Sequence, residues 1–130
     1  MIVLDTSAAL TCLTGVDADP ALRQRVADGG SLHVPHLIDV EVLAALRGLV
    51  LGNKLTADRA NDARRDFTSL RVVRYPIVAL ADRIWSLRHT MTAYDGCFVA
   101  LAEALGFPLI TCDARLARAN GHRAEIELFG

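Results

Sequence analysis

The chain has a single lysine, Lys54, among fourteen cationic residues, and its formal net charge is −1. No global positive field therefore announces a nucleic-acid binder. Arginine is left as the residue for bidentate phosphate contacts, although a compositional bias toward Arg and Ala accounts for the same usage. CxxC pairs are also missing. Cys12, Cys97 and Cys112 stand singly in apolar segments, which excludes the common zinc-site spacings and fits the reduced thiols of a cytoplasmic protein. Apolar residues make up 52% of the chain and mean hydropathy is +0.31. Even so, Asp39, Glu41 and Arg47 interrupt the longest apolar stretch before it reaches the roughly 20 residues that span a bilayer. The opening Met1-Ile2-Val3-Leu4-Asp5 has no basic region or cleavage site, so no secretory signal is expected. Walker A and GxGxxG sequences, repeats, linkers and low-complexity segments are absent. The expectation is a single domain over 130 residues, 1–130, long enough for a real core. Its surplus hydrophobicity suits a homodimer or partner surface better than a membrane face, and the mostly apolar helix over 36–51 and the amphipathic helix around Ile84-Trp85-Leu87 are the expected homodimer surface.

Short apolar runs alternate with helical patterns. Residues 2–5 read as a buried strand, with Thr6 or Ser7 capping a helix to about Gly15. Asp19-Pro20 opens a short helix to Gly29. Leu32 to Val34 is a strand closed by Pro35, and a mostly apolar helix runs from His36 to Leu51, ended by Gly52-Asn53. A polar, arginine-rich helix from Thr56 to about Leu70 completes a helical hairpin that can protrude from the sheet. Val72-Val73 is a third strand, broken at Tyr75-Pro76. Helices over 78–89 and 94–105, a strand at Leu109–Thr111, a short helix after Asp113 and an edge strand at Ile126–Leu128 complete the chain. The alternation predicts an α/β fold, three layers deep, with a mainly parallel central sheet.

Four acids are distributed over this pattern in a telling way. Asp5 and Asp113 each end an apolar run, where a parallel sheet presents its carboxyl-terminal edge to ligands. Both also have an ordinary reading as helix caps. Glu41 has Leu37, Ile38, Ala44 and Ala45 three and four residues away, so it needs a partner or a neutral form. A metal answers that need better than Arg47, which lies on another face. Asp95 sits in Thr92-Ala93-Tyr94-Asp95, which matches a capping box and places an acid in a first helical turn; locally the structural reading is the stronger. Converging carboxylates repel one another unless a cation neutralises them, and carboxylates select Mg²⁺ or Mn²⁺.

Together these residues resemble the PIN domain, and more narrowly its VapC-type ribonuclease toxins. The resemblance rests on Asp5-Thr6-Ser7 after the first strand, Glu41 in a Pro-x5-Glu-x3-Ala-Leu helix, Tyr94-Asp95-Gly96 and Thr111-x-Asp113. It covers essentially the whole chain. Two departures stand out: Gly96 replaces the usual alanine after the middle acid, and residues 114–118 lack the further acid some members carry there. The resemblance implies a metal-dependent endoribonuclease with Asp5, Glu41, Asp95 and Asp113 as catalytic metal ligands for Mg²⁺ or Mn²⁺. Ser7 and Thr111 would orient ligands or water. It also implies RNA as substrate and a small VapB-type antitoxin that fills the active-site groove. Arg64, Arg65, Arg71, Arg74, Arg88, Arg115 and Arg118 are the candidate RNA contacts, with Arg115 and Arg118, just after Asp113, expected to flank the site, and no histidine role is expected.

Rival readings fail on named residues. A haloacid-dehalogenase-type enzyme needs an aspartate where Ser7 stands, and a receiver domain needs a late lysine that Lys54 cannot be. A non-catalytic binding module and an RNA-processing PIN nuclease remain as alternatives.

Overall fold

The computed structural model describes residues 1–16 and 19–130. Five strands form one sheet: β1 (Ile2–Leu4), β2 (Leu32–Pro35), β3 (Val72–Tyr75), β4 (Leu109–Thr111) and β5 (Ile126–Leu128). Their order is β3-β2-β1-β4-β5 and every pairing is parallel. From β1 the chain winds outward first to β2 and β3, then returns to the other side of β1 with β4 and β5. The switch point therefore lies between β1 and β4. Ile2, Val3, Leu4, Leu109 and Ile110 are essentially inaccessible, as central strands covered on both faces must be.

Helices α1 (Thr6–Thr14), α2 (Pro20–Asp28), α3 (Leu37–Leu51), α4 (Ala57–Ser69), α5 (Ala81–Ser86), α6 (Ala93–Leu105) and α7 (Ala114–Ala117) flank the sheet. Helix α6 packs on β1, β2 and β4 and also meets α5. Its run from Gly96 to Ala102 is buried on every side, the signature of a helix enclosed between layers. Gly106, at φ 69°, ends it in the left-handed conformation that favours glycine. The α3–α4 hairpin packs on α1, with Ile38, Val42, Leu46, Ala63 and Phe67 buried, and Arg59 donates to the Thr14 carbonyl at 2.8 Å. An Arg25–Glu127 pair at 2.8 Å ties α2 to β5. No described helix is long and apolar enough to cross a membrane, and the three cysteines are free.

Several boundaries differ from the sequence reading. Asp5 itself, rather than Thr6 or Ser7, caps α1. Strand β2 continues through Pro35 and β3 through Tyr75, because the parallel register pairs Val34 with Arg74 and Pro35 with Tyr75. The ladder extends both strands past the residues whose own preference would stop them. The single helix expected over 78–89 is a 3₁₀ turn, Val78–Leu80, followed by the short α5. Leu80, Ile84 and Leu87 form a buried stripe along it. Past Ser86 the backbone tightens to three-residue bonds, Leu87 N–H to Ile84 O and Arg88 N–H to Trp85 O, both at 3.1 Å, and side chains from Ser86 and Arg88 add second donors to Arg83 O at 2.7 Å and Trp85 O at 3.0 Å.

The glycine after Asp95 has a packing reason. A Cβ built on Gly96 would lie 3.2 Å from Cγ2 of buried Ile84, where α5 crosses α6. Gly96→Ala gains about 1 kcal/mol of helix propensity against the displacement of a stiff β-branched neighbour. Thermal denaturation should place the variant within about 1 kcal/mol of the parent, with the site's chemistry unchanged.

Candidate metal and nucleic-acid site

The switch point delivers the acids to one place. Asp5, Glu41, Asp95 and Asp113 line a single cleft of about 250 Å³, with Thr6, Ser7, Leu10 and Phe98 completing its walls. Asp5 leaves β1, Asp113 leaves β4, Glu41 comes from the second turn of α3 and Asp95 from the first turn of α6.

Asp5 is 5% exposed and nearly saturated. Its Oδ1 accepts from Ser7 Oγ at 2.8 Å and from the Ala8 N–H at 2.9 Å, while Oδ2 accepts from Thr111 Oγ1 at 2.5 Å. A carboxylate has about four acceptor positions, so one lone pair, on Oδ2, is left for a ligand. The cap and the functional reading are thus compatible, since they use different oxygens. Thr111 is fully buried on β4. Its hydroxyl also accepts the Asp113 N–H at 3.0 Å, and Ser7 Oγ accepts the Cys112 N–H at 2.9 Å. The two hydroxyls couple the end of β1 to the end of β4 behind Asp5.

Asp113 caps α7 through Oδ1, which accepts from Arg115 N at 2.9 Å and Leu116 N at 3.3 Å; Oδ2 accepts no hydrogen bond from the described residues and stands 3.9 Å from Arg115 Nη2. Thr92 caps α6 by accepting the Asp95 N–H at 3.2 Å. Among the described residues the Asp95 carboxylate makes no return bond, so the capping box is half-built and that side chain is available. Glu41 meets neither Arg47, which is exposed, nor any other cation among the described residues. Its Oε1 accepts from Thr6 Oγ1 at 2.7 Å. Thr6 is a site residue that sequence reasoning passed over as a cap; the signal was its position one residue past Asp5, where a helical side chain returns over the strand end.

The acids are electrostatically under-compensated. Burial, with a smaller contribution from Asp113, pushes the Asp5 carboxyl above the ordinary carboxylate range despite the bonds from Thr111, Ala8 and Ser7. Burial likewise raises Asp95, Arg115 opposing and Asp113 adding to the shift. Arg115 Nη2 is the nearest cation, at 3.8 Å from Asp95 and 3.9 Å from Asp113, on a side chain 77% exposed. Such distant, solvated pairs neutralise little. Arg118 is exposed at the end of α7 and lines neither this cleft nor its neighbour. None of the four histidines lines the cleft; His33 is engaged in the sheet by Ser31 and Tyr75.

The donor set fits a hard divalent cation: hard oxygens, one cleft, excess negative charge. Among the described residues no three of these groups stand close enough to form a ready cage. That geometry suits an ion that keeps several waters and takes one or two carboxylates directly.

A parallel α/β sheet with a carboxylate cleft at its switch point defines a class of acidic-site α/β domains. The PIN domain family profile matches residues 2–121. Ribonuclease VapC12 of Mycobacterium tuberculosis is 44% identical over 128 residues, 98% of each chain. Two solved structures share the fold. One is a chain of VapBC2 from Rickettsia felis bound to promoter DNA (TM-score 0.70, 13% identity, 100% of both chains). The other is VapC20 of M. tuberculosis, a sarcin–ricin loop cleaving toxin (TM-score 0.62, 18% identity, 90% of this chain and 93% of that one). The chain belongs to the PIN domain family, within its VapC group.

Proposed function

We propose that the protein is a Mg²⁺- or Mn²⁺-dependent endoribonuclease, the toxin of a VapBC-type toxin–antitoxin pair acting in the cytoplasm. The observation that carries this reading is the convergence of Asp5, Glu41, Asp95 and Asp113 on one cleft without a matching cation. An ion held there would neutralise the acids, acidify a bound water and stabilise the oxygen leaving phosphorus. The protein's own share is orientation. Ser7, Ala8 and Thr111 fix Asp5 with one lone pair outward, Thr6 fixes Glu41 through Oε1, and α7 fixes Asp113 through Oδ1. Groups locked in this way meet the substrate without reorganising.

The hairpin supports a partner. An apolar groove of about 320 Å³ runs between α3 and α4 over Leu46, Val50, Leu51 and Ala60, edged by Arg47 and Arg64. It suits the apolar face of a VapB-type antitoxin segment. Ile84 and Leu87, expected to help form a homodimer surface, are core residues. The homodimer reading now rests on α3, where Val40 is 59% exposed beside Leu43. Light scattering of the antitoxin-free protein at micromolar concentration should give the mass of two chains; one chain would remove the dimer.

The decisive experiment is incubation of a mixed pool of structured RNAs with purified, antitoxin-free protein in Mg²⁺ or Mn²⁺. Cutting that disappears with EDTA and in folded Asp5→Asn is the expected result. Intact RNA beside metal-loaded protein would sink the nuclease. Arg115→Gln should raise KM and flatten the log–log salt dependence of RNA binding by about 0.7, the slope of one single-strand phosphate contact. Arg118→Gln should leave that slope unchanged.

A further inference from the structure

Asp95 is a shared wall. On its other side lies a second cleft of about 350 Å³, whose polar lining comes from Arg88, Thr90, Thr92 and Arg115 and whose floor includes Met91 and Leu116. We propose that this cleft seats the RNA phosphate and ribose next to the scissile bond, with Arg88 as the phosphate ligand and Trp85 as the residue that positions it. The inference rests on the ribonuclease reading and deepens it.

Three observations converge. First, several arginines elsewhere are committed to acids: Arg25 to Glu127, Arg74 to Asp39 and Arg83 to Glu103, at 2.7–2.9 Å. Arg88 has no carboxylate within ion-pair distance among the described residues, yet it is held. Its guanidinium carbon stands 4.8 Å over the Trp85 ring and Nη1 donates to Trp85 O at 3.0 Å. A stacked guanidinium loses less freedom when it binds an anion. Second, Trp85 is 69% exposed, an unusual setting for the chain's one tryptophan unless the face is used. Third, a strand entering the carboxylate cleft brings further negative charge to an already acidic place. Donors from Arg88, Arg115 and Thr92, whose hydroxyl only accepts within the protein, beside apolar Met91 and Leu116 match an anionic phosphate followed by a ribose face.

The test uses the full chain carrying Asp5→Asn, so that a short unstructured RNA oligonucleotide binds without being cut. Saturable quenching of Trp85 emission is expected. In the same background, labelled-RNA anisotropy should show Arg88→Gln binding about tenfold more weakly, the loss of one charge-assisted contact, with a flatter salt slope. Trp85→Phe should retain most of the affinity, since it keeps an aromatic face, and Trp85→Ala should behave as Arg88→Gln does. In the Asp5 protein, Arg88→Gln should raise KM at unchanged kcat. An Arg88→Gln protein that is folded, cuts RNA and matches the parent in affinity and salt slope overturns the proposal. So does a Trp85→Ala protein that changes only self-association, which would assign this face to a protein partner. Arg88-dependent RNA binding by a protein that never cuts would instead uphold the phosphate cleft and remove the nuclease.

Discussion

Asp5→Asn is expected to lower metal-dependent RNA cleavage by about 10³-fold or more, roughly 4 kcal/mol of transition-state stabilisation, while raising the melting temperature of the metal-free protein. The second half distinguishes a ligand from a structural cap. Asparagine is nearly isosteric and can satisfy every neighbour. Its oxygen can keep the bonds from Ser7 and Ala8, and its nitrogen can donate to Thr111, whose own proton can turn to Ser7 Oγ, 3.3 Å away. What disappears is a charge that the fold holds against burial. Because the folded carboxyl titrates above its ordinary value, its ionisation opposes folding as pH rises past the usual carboxylate range. At pH values below about 4 both states carry the proton and the variant has no advantage. The gap in melting temperature should therefore be absent in acid and open toward neutral pH. A gap of about 3 °C corresponds to about 1 kcal/mol in a domain of this size. Added Mg²⁺ or Mn²⁺ should raise the parent's melting temperature and close the gap. If Asp5→Asn melts lower than the parent at neutral pH without metal, Asp5 is chiefly a cap.

Thr111→Val should be the most damaging isosteric change away from the acids themselves. The hydroxyl is fully buried and serves two groups, donating to Asp5 and accepting from the Asp113 N–H. Valine strands both. At about 1–3 kcal/mol for each unsatisfied buried group, the expected loss is about 2–6 kcal/mol, a fall in melting temperature on the order of 10 °C. Thr111 is also the foremost of the bonds that hold the Asp5 carboxyl down, so without it Asp5 is pushed higher still. The acid limb of the cleavage profile should move to higher pH in Thr111→Val. Thr111→Ser keeps the hydroxyl, loses one buried methyl worth about 0.8 kcal/mol, and should leave the limb in place. An unmoved limb in the valine protein would show that Thr111 supports the sheet but not the acid.

Much of this site could be read from one sequence because the relevant constraints are local or topological. Apolar runs that end in Asp5 and Asp113 imply strand ends, and parallel strands share an edge. Glu41 among Leu37, Ile38, Ala44 and Ala45 announced an unmet electrostatic need, and the PIN resemblance joined the four acids into one site. The capping reading of Asp95 was half right: Thr92 caps the helix, and the carboxylate is free of that duty.

The remainder needed packing across elements that lie far apart in the chain. Nothing near Thr6 says that its hydroxyl will find Glu41, 35 residues away. Nothing local separates Arg115, drawn to Asp95 and Asp113, from Arg118, which faces solvent. The lengths of β2 and β3 follow from each other's ladder. The sequence by itself determined the alternation of strands and helices, the four acids and the family. Only the tertiary structure decided which lone pair of Asp5 is free, which hydroxyls hold the acids and which arginines face the clefts. Periodicity and strand ends are properties of neighbouring residues, whereas lone-pair occupancy, burial and charge pairing arise only where distant segments meet.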